Sequence, residues 1–198
     1  MAATTIAVPP AEMPLPHELR GRVGMWCLIA AESAIFSIFV VAYLYYAGKS
    51  LSGPTPREVL HLPLFISACL ISSSLTIFMA ERAIARGNTR LFGVWWLLTI
   101  VLGAIFILGT AREWYGLIYK DGVTISSSLF GTTYYSLVGL HASHVIIGLT
   151  GLSIIMILTA LGYVKQEHAP RIEVFGMYWH FVDAVWIVVF TVVYVIAR

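Results

Sequence analysis

Seven ionisable side chains stand inside long apolar stretches of this 198-residue sequence. They are Glu32, Arg112, Glu113, His141, His144, His180 and Asp183. An ionisable group at the middle of a bilayer costs several kcal/mol by insertion scales, so each of them needs a structural or chemical reason. Paired histidines could hold a haem iron or another metal, and a carboxyl group in such surroundings could exchange protons. Haem, metal and proton chemistry are therefore the hypotheses that these residues raise.

The composition indicates a protein that is solvated by lipid. Only 11% of the residues are charged and 59% are apolar, whereas soluble domains carry about 25% charged residues. The net charge is only +2 and the basic residues form no dense run. Nucleic acid is therefore not predicted as a partner.

Five stretches of the sequence have the roughly 20 mostly apolar residues that a membrane-spanning helix needs. They cover residues 23–47, 62–80, 91–118, 130–163 and 175–196. The fourth is longer than one membrane thickness requires, so it must tilt or protrude. The prediction is an all-α integral membrane bundle of five transmembrane helices over residues 22–198. Residues 1–21 are predicted to form an exposed tail, because they lack the apolar centre of a signal peptide.

The basic residues favour one orientation of this bundle. With five spans, the side that holds the N-terminus carries Arg20, Arg22, Arg82, Arg86, Arg90, Lys165 and Arg171. The other side carries Lys49, Arg57, Arg112, Lys120 and Arg198. Because basic loops stay in the cytoplasm, this bias predicts a cytoplasmic N-terminus and a C-terminus on the outside.

Depths counted at about 1.5 Å per residue from the predicted inner ends sort the seven polar residues into two layers. An inner to central layer holds Glu32, His180 and Asp183, and an outer layer holds Arg112, Glu113, His141 and His144. The histidines of the fourth and fifth spans then differ by roughly 20 Å in depth. Two axial ligands must approach one iron at a single depth, so this count predicts no haem site.

Several other interpretations remain open for the outer layer. A zinc site could use His141, His144 and Glu113, but it lacks a clear fourth ligand. The histidines could instead form hydrogen bonds between helices, as polar side chains do in membrane bundles. Arg112 and Glu113 are expected at the outer interface, as a salt bridge or within reach of His144 or of lipid phosphates.

Glu32 is flanked by small residues, namely Ala30, Ala31, Ser33 and Ala34. Small residues let the backbone of another helix approach closely. Glu32 could therefore exchange protons with a neighbouring pathway, or form a hydrogen bond to a partner chain. The alternative is a carboxyl group that only bonds within the bundle.

Four motifs along the chain together suggest a family. Residues 24–36 join Gly-Met-Trp to Ala-Glu-Ser-Ala-Ile-Phe, and residues 113–115 read Glu-Trp-Tyr. Residues 139–145 read Gly-Leu-His-Ala-Ser-His-Val, and residues 178–186 read Tyr-Trp-His-Phe-Val-Asp-Ala-Val-Trp. In this order the motifs resemble those of subunit III of the haem-copper oxidases. The resemblance runs from about Arg22 to the C-terminus and is closest to the compact five-helix form found in bacteria.

The resemblance implies a role within a larger complex. The chain would be a non-catalytic subunit of a proton-pumping terminal oxidase in the bacterial inner membrane, where it would contact oxidase subunit I, other oxidase subunits and phospholipids. It would stabilise subunit I and support proton uptake, with Glu32 matching the family's intramembrane carboxylate near subunit I. It would itself hold no cofactor, since the haem and copper of such oxidases belong to partner subunits. Alternatives are the similar accessory protein of nitric oxide reductases, a membrane haem cytochrome and a stand-alone transporter.

Overall fold

The computed structural model of the chain describes residues 17–49, 59–60 and 62–196. All regular structure in those residues is helical, and five helices are long and apolar enough to cross a membrane. They are α1 (His17–Tyr46), α2 (Leu64–Ala85), α3 (Thr89–Tyr119), α4 (Leu129–Ala160) and α5 (Ala169–Phe190), which continues as a π-helical turn over Thr191–Ile196. The predicted all-α bundle of five spanning helices is confirmed.

The ends of two helices differ from the predicted spans in a way that matters below. α1 begins at His17, so residues 17–21 of the predicted exposed tail are helical. Residues 1–16 of that tail lie outside the described part of the chain. α5 begins at Ala169, six residues before the predicted span. A helix can continue past the hydrocarbon into water, because its backbone bonds are internal, and hydropathy does not register that extension.

The helix starts have local causes in the sequence. The Asn88 side chain accepts a hydrogen bond from the Leu91 backbone N–H at 3.0 Å, and Ser128 does the same for Gly131 at 3.0 Å. Both are N-caps, which satisfy amide groups that the first helical turn leaves free. Gly87, with φ of +77°, closes α2 and lets the chain turn directly into α3. α2 and α3 therefore pack side by side as an antiparallel pair.

The five helices form a ring in which α1, α4, α3, α2 and α5 are neighbours in that order, and α4 also contacts α5. Half of the spanning part of α5 is buried, whereas only 11% of that of α1 is. His17, Ala85, Thr89, Ala160 and Ala169 mark one end of the bundle, here called the His17 end. The opposite end is called the Tyr46 end.

Three tryptophans stand at the centre of the core. Trp96, Trp179 and Trp186 are almost completely buried, and each indole N–H donates a hydrogen bond. The acceptors are the carbonyl of Leu152 at 2.9 Å, the hydroxyl of Ser73 at 2.8 Å and the hydroxyl of Ser67 at 3.1 Å, respectively. These bonds join neighbouring helices, so the aromatic core fixes their register.

Candidate functional site

A cluster of polar side chains joins α5 to α2 in the middle of the bundle. Asp183 is only 4% exposed, and its Oδ2 accepts hydrogen bonds from the hydroxyls of Ser74 and Ser73. Nδ1 of His180 lies 3.1 Å from the Ser74 hydroxyl, which donates its own proton to Asp183. His180, Ser74 and Asp183 therefore form one hydrogen-bonded chain. The other carboxyl oxygen of Asp183, Oδ1, has no hydrogen-bond partner among the described residues.

A second polar contact joins α1 to α4. Nε2 of His144 lies 3.1 Å from Oε2 of Glu32, and Nδ1 of His144 lies 2.8 Å from the carbonyl of Leu140. Because a carbonyl only accepts, Nδ1 must carry a proton. The contact with Glu32 then needs one more proton, which lies either on Nε2 or on the carboxyl group. In either arrangement, one proton lies between Nε2 of His144 and the carboxyl group of Glu32.

His141 lies in a different environment from His144 and His180. It is completely buried, and neither of its ring nitrogens has a hydrogen-bond partner in the described part of the chain. Its ring stacks on Trp186 with centroids 5.0 Å apart, and the rings of Phe106 and Phe36 lie 5.7 and 6.4 Å away. Interhelical hydrogen bonds are present at His144 and His180. At His141 that expectation is wrong, because aromatic rings enclose the imidazole.

The prediction that the histidines of α4 and the acid of α1 occupy separate layers is also wrong. Counted from the observed helix ends at about 1.5 Å per residue, Glu32 lies about 22 Å from the His17 end and His144 about 24 Å. Asp183 lies about 21 Å from that end. The error came from helix ends, since α1 and α5 both begin six residues before the predicted spans. Glu32, His144 and Asp183 therefore share one central layer.

The remaining pair of predicted residues lies nearer the Tyr46 end. The Tyr194 hydroxyl donates to Oε1 of Glu113 at 2.9 Å, and the Tyr134 hydroxyl lies 3.3 Å from that of Tyr194. Within the described residues, Arg112 forms no salt bridge. The two ring nitrogens of His144 contact Leu140 and Glu32, and not Arg112. No group of three metal-ligating side chains comes together in the same part of the chain, and the structure does not bring Glu113 to the two histidines of α4.

Comparison with known proteins agrees with this architecture. The family model described as cytochrome c oxidase subunit III matches residues 20–198 of the chain. The chain belongs to the cytochrome c oxidase subunit III family. This subunit III is 33% identical over 174 residues to cytochrome c oxidase subunit 3 of Alkalihalophilus pseudofirmus, an alignment that covers 87% of this chain and 84% of the relative.

Two further relatives have similar coverage. Cytochrome c oxidase subunit 3 of Corynebacterium diphtheriae is 33% identical over 181 residues, which is 88% of this subunit III and 87% of the relative. Quinol oxidase subunit 3 of Bacillus subtilis is 29% identical over 174 residues, 87% and 85% of the two chains. The chain is accordingly a non-catalytic subunit III of a terminal oxidase, and a nitric oxide reductase accessory protein or a haem cytochrome is not favoured.

Sequence reasoning missed several partners of the polar residues in this subunit III. Ser73 and Ser74 belong to none of the motifs that the sequence offered, yet they bond Asp183. Tyr194, which bonds Glu113, carried no signal at all. The serines could have been found by pairing α2 with α5 as antiparallel neighbours. That pairing, however, is a property of the packed bundle.

Proposed function

We propose that this chain packs beside the catalytic subunit I through the surface around Glu32, and that it supports sustained proton uptake by that subunit. The contact between Glu32 and His144 carries the proposal. The Glu32 side chain is 23% exposed and that of His144 11%, so the pair reaches the surface of the bundle from the central layer. A proton held there is accessible to a neighbouring chain.

The surroundings of Glu32 suit a close partner helix. Ala30, Ala31, Ser33 and Ala34 are all exposed on α1, which is the least buried helix of the bundle. In a membrane, helices associate through small residues because these permit short distances between backbones. The α1 surface around Glu32 therefore favours a helix of another subunit over loosely packed lipid.

The test compares two variants of the assembled oxidase. Glu32→Ala removes the carboxyl group, whereas Glu32→Gln keeps a hydrogen-bond donor for Nε2 of His144 but cannot release a proton. Both variants should begin oxygen reduction at the normal rate and lose activity after fewer turnovers than the parent oxidase. Ser37→Ala, at an exposed position five residues further along α1, is the control and should keep full endurance.

The contrast between the two variants decides the role. If Glu32→Gln retained the parent's endurance while Glu32→Ala lost it, the residue would act only through its hydrogen bond. The amount of this chain that stays bound to subunit I during purification would be measured in parallel. An oxidase that has lost this chain would also stop working after fewer turnovers. Equal endurance in all three enzymes would contradict the proton role.

We further propose that the haem and copper of the oxidase belong to partner subunits. Both nitrogens of His144 are engaged by Glu32 and Leu140, and three aromatic rings enclose His141. These residues do not fit a metal without repacking the core. Iron and copper analysis of the chain separated from its partners tests this directly, and stoichiometric metal in it would contradict the proposal.

The remaining proposal concerns location. The excess of basic residues at the His17 end supports a bacterial inner membrane protein with its N-terminus in the cytoplasm and its C-terminus outside. Phospholipids then surround the exposed apolar faces of the helices. Protease should remove an N-terminal tag from inside-out vesicles and leave it intact in right-side-out vesicles. The reverse pattern would overturn the orientation.

A further inference from the structure

His180 lies on a side of α5 that faces away from the bundle. Glu173, Ala184 and Ile187 share that side, because they are seven residues before it, four after it and seven after it. All three are exposed, and His180 itself is partly exposed. The imidazole therefore stands at the membrane-facing surface, close to the seam where α5 meets α2.

The depth of His180 puts it beyond the reach of lipid phosphates. It lies about 17 Å from the His17 end of α5, and about 24 Å of helix follow it before Ile196. The hydrocarbon core of a bilayer is about 30 Å thick, so the ring lies well inside it. Acyl chains carry no hydrogen-bonding group at that depth.

Only one of the two ring nitrogens of His180 is engaged by the described part of the chain. Nδ1 lies 3.1 Å from the Ser74 hydroxyl, which donates to Asp183. Nε2 has no hydrogen-bond or salt-bridge partner among the residues that the structure describes. Ionisable side chains within a membrane usually face the interior of a bundle or pair with a polar group. An outward ring with one open nitrogen therefore indicates a polar group that comes from another molecule.

We propose that a transmembrane helix of another subunit of the oxidase packs on this surface and places a hydroxyl or carboxamide side chain against Nε2 of His180. The surface is here called the His180 face and consists of Ile71, Phe78, His180, Ala184 and Ile187. Hydroxyl and carboxamide groups both donate and accept, so they suit either tautomer of the ring. The small side chain of Ala184 lets the backbone of the partner helix approach closely.

The open nitrogen favours a helix over lipid as the occupant of the His180 face. Ile71, Phe78 and Ile187 are 46%, 38% and 51% exposed, and apolar side chains of this kind would suit an acyl chain or a helix equally. Only a polypeptide brings a polar side chain to the depth of His180. The oxidase to which the chain belongs supplies such helices. This contact is separate from the one proposed for Glu32, which lies on α1.

Photo-cross-linking in the assembled oxidase identifies the molecule that covers the His180 face. Benzoylphenylalanine replaces Ile71 in one variant and Ile187 in a second. The control replaces Val101, which is 44% exposed on α3 and lies about 18 Å from the His17 end. Cross-linked peptides are identified by mass spectrometry. The variants at Ile71 and Ile187 should be joined to a peptide of another oxidase subunit, and the control to lipid alone.

Two replacements of His180 separate its outward contact from its inward one. Glutamine places its amide about where Nε2 lies, whereas asparagine places its amide about where Nδ1 lies. His180→Asn therefore keeps the contact with Ser74 and loses the outward one, and His180→Gln keeps the outward one. Each is combined with benzoylphenylalanine at Ile187, and the complex is diluted in detergent until half of the cross-link is lost. His180→Asn should reach that point at about threefold higher concentration, the effect of one average interhelical hydrogen bond. His180→Gln should match the parent.

Three results would overturn the proposal. Cross-links from Ile71 and Ile187 to lipid alone would show that acyl chains cover the His180 face. Cross-links to a second copy of this chain would make the face a surface for self-association. A dilution midpoint of His180→Asn equal to that of the parent would show that Nε2 bonds no partner.

Discussion

The indole ring of Trp179 on α5 lies directly against Gly148 on α4. A Cβ built on Gly148 would come within 2.8 Å of Cζ3 of that ring. The ring cannot move away, because its other edge meets Gly103 at a similar distance and its N–H is bonded to Ser73. The packing of α3, α4, α5 and α2 around this ring therefore requires glycine at both positions 103 and 148.

Gly148→Ala should destabilise the subunit by about 1–3 kcal/mol, the usual cost of overpacking a filled core. The expected result is a lower thermal midpoint for release of the chain from detergent-solubilised oxidase. Gly93→Ala is the control, since its added methyl group meets open space and alanine favours the helix. A Gly148→Ala midpoint equal to that of the control would show that the ring is free to move.

Asp183 should matter through the hydrogen bonds that it accepts. Asp183→Ala leaves the hydroxyls of Ser73 and Ser74 without this acceptor, which should cost about 1–3 kcal/mol in a buried site. Asp183→Asn keeps a carbonyl oxygen at the same place and should cost less. The retained fraction of the chain in purified oxidase would measure both. Equal loss in the two variants would point to the charge of Asp183 instead.

Replacement by phenylalanine should destabilise the subunit less at His141 than at His144. His141 already lies in an aromatic cage without a hydrogen bond in the described residues, so His141→Phe should change stability by less than about 1.5 kcal/mol. His144→Phe removes the contacts with Glu32 and Leu140 and should cost about 1–3 kcal/mol. Thermal midpoints of the two variant oxidases test the contrast. A strongly destabilised His141→Phe enzyme would mean that its ring nitrogens have a partner.

Tyr194→Phe should weaken the junction between the end of α5 and α3. It removes the hydroxyl that donates to Glu113 and contacts Tyr134. Interhelical hydrogen bonds in membranes contribute about 0.6 kcal/mol on average and at most about 1.7 kcal/mol. A small drop in thermal midpoint is therefore expected. Tyr119, at the end of α3, is 73% exposed, so Tyr119→Phe is the control and should show no drop. Indistinguishable midpoints would indicate that water replaces the lost hydroxyl.

Glycines of α3 and α4 mark where neighbouring helices come closest, but the sequence does not say which side chain fills each place. Gly103, Gly109, Gly148 and Gly151 all receive side chains from other helices in the bundle. Sequence spacing marks where a neighbour can approach, because glycine offers no side chain. Which side chain arrives depends on how the helices are arranged around the ring. Phe175 over Gly151 is an example that no local pattern announces.

The amino-acid sequence by itself determined the five lipid-spanning helices, the polar residues buried among them and the family to which the motifs belong. These follow from hydrophobic runs and short motifs, which are local properties. Only the tertiary structure decided that Glu32 meets His144, that Asp183 meets Ser74, and that these contacts share one layer. The physical reason is that each residue of helix adds about 1.5 Å of depth, so six residues at a helix end displace a side chain by about 9 Å. Packing between the helices decides how their ends are aligned. Hydropathy along the sequence does not contain this alignment.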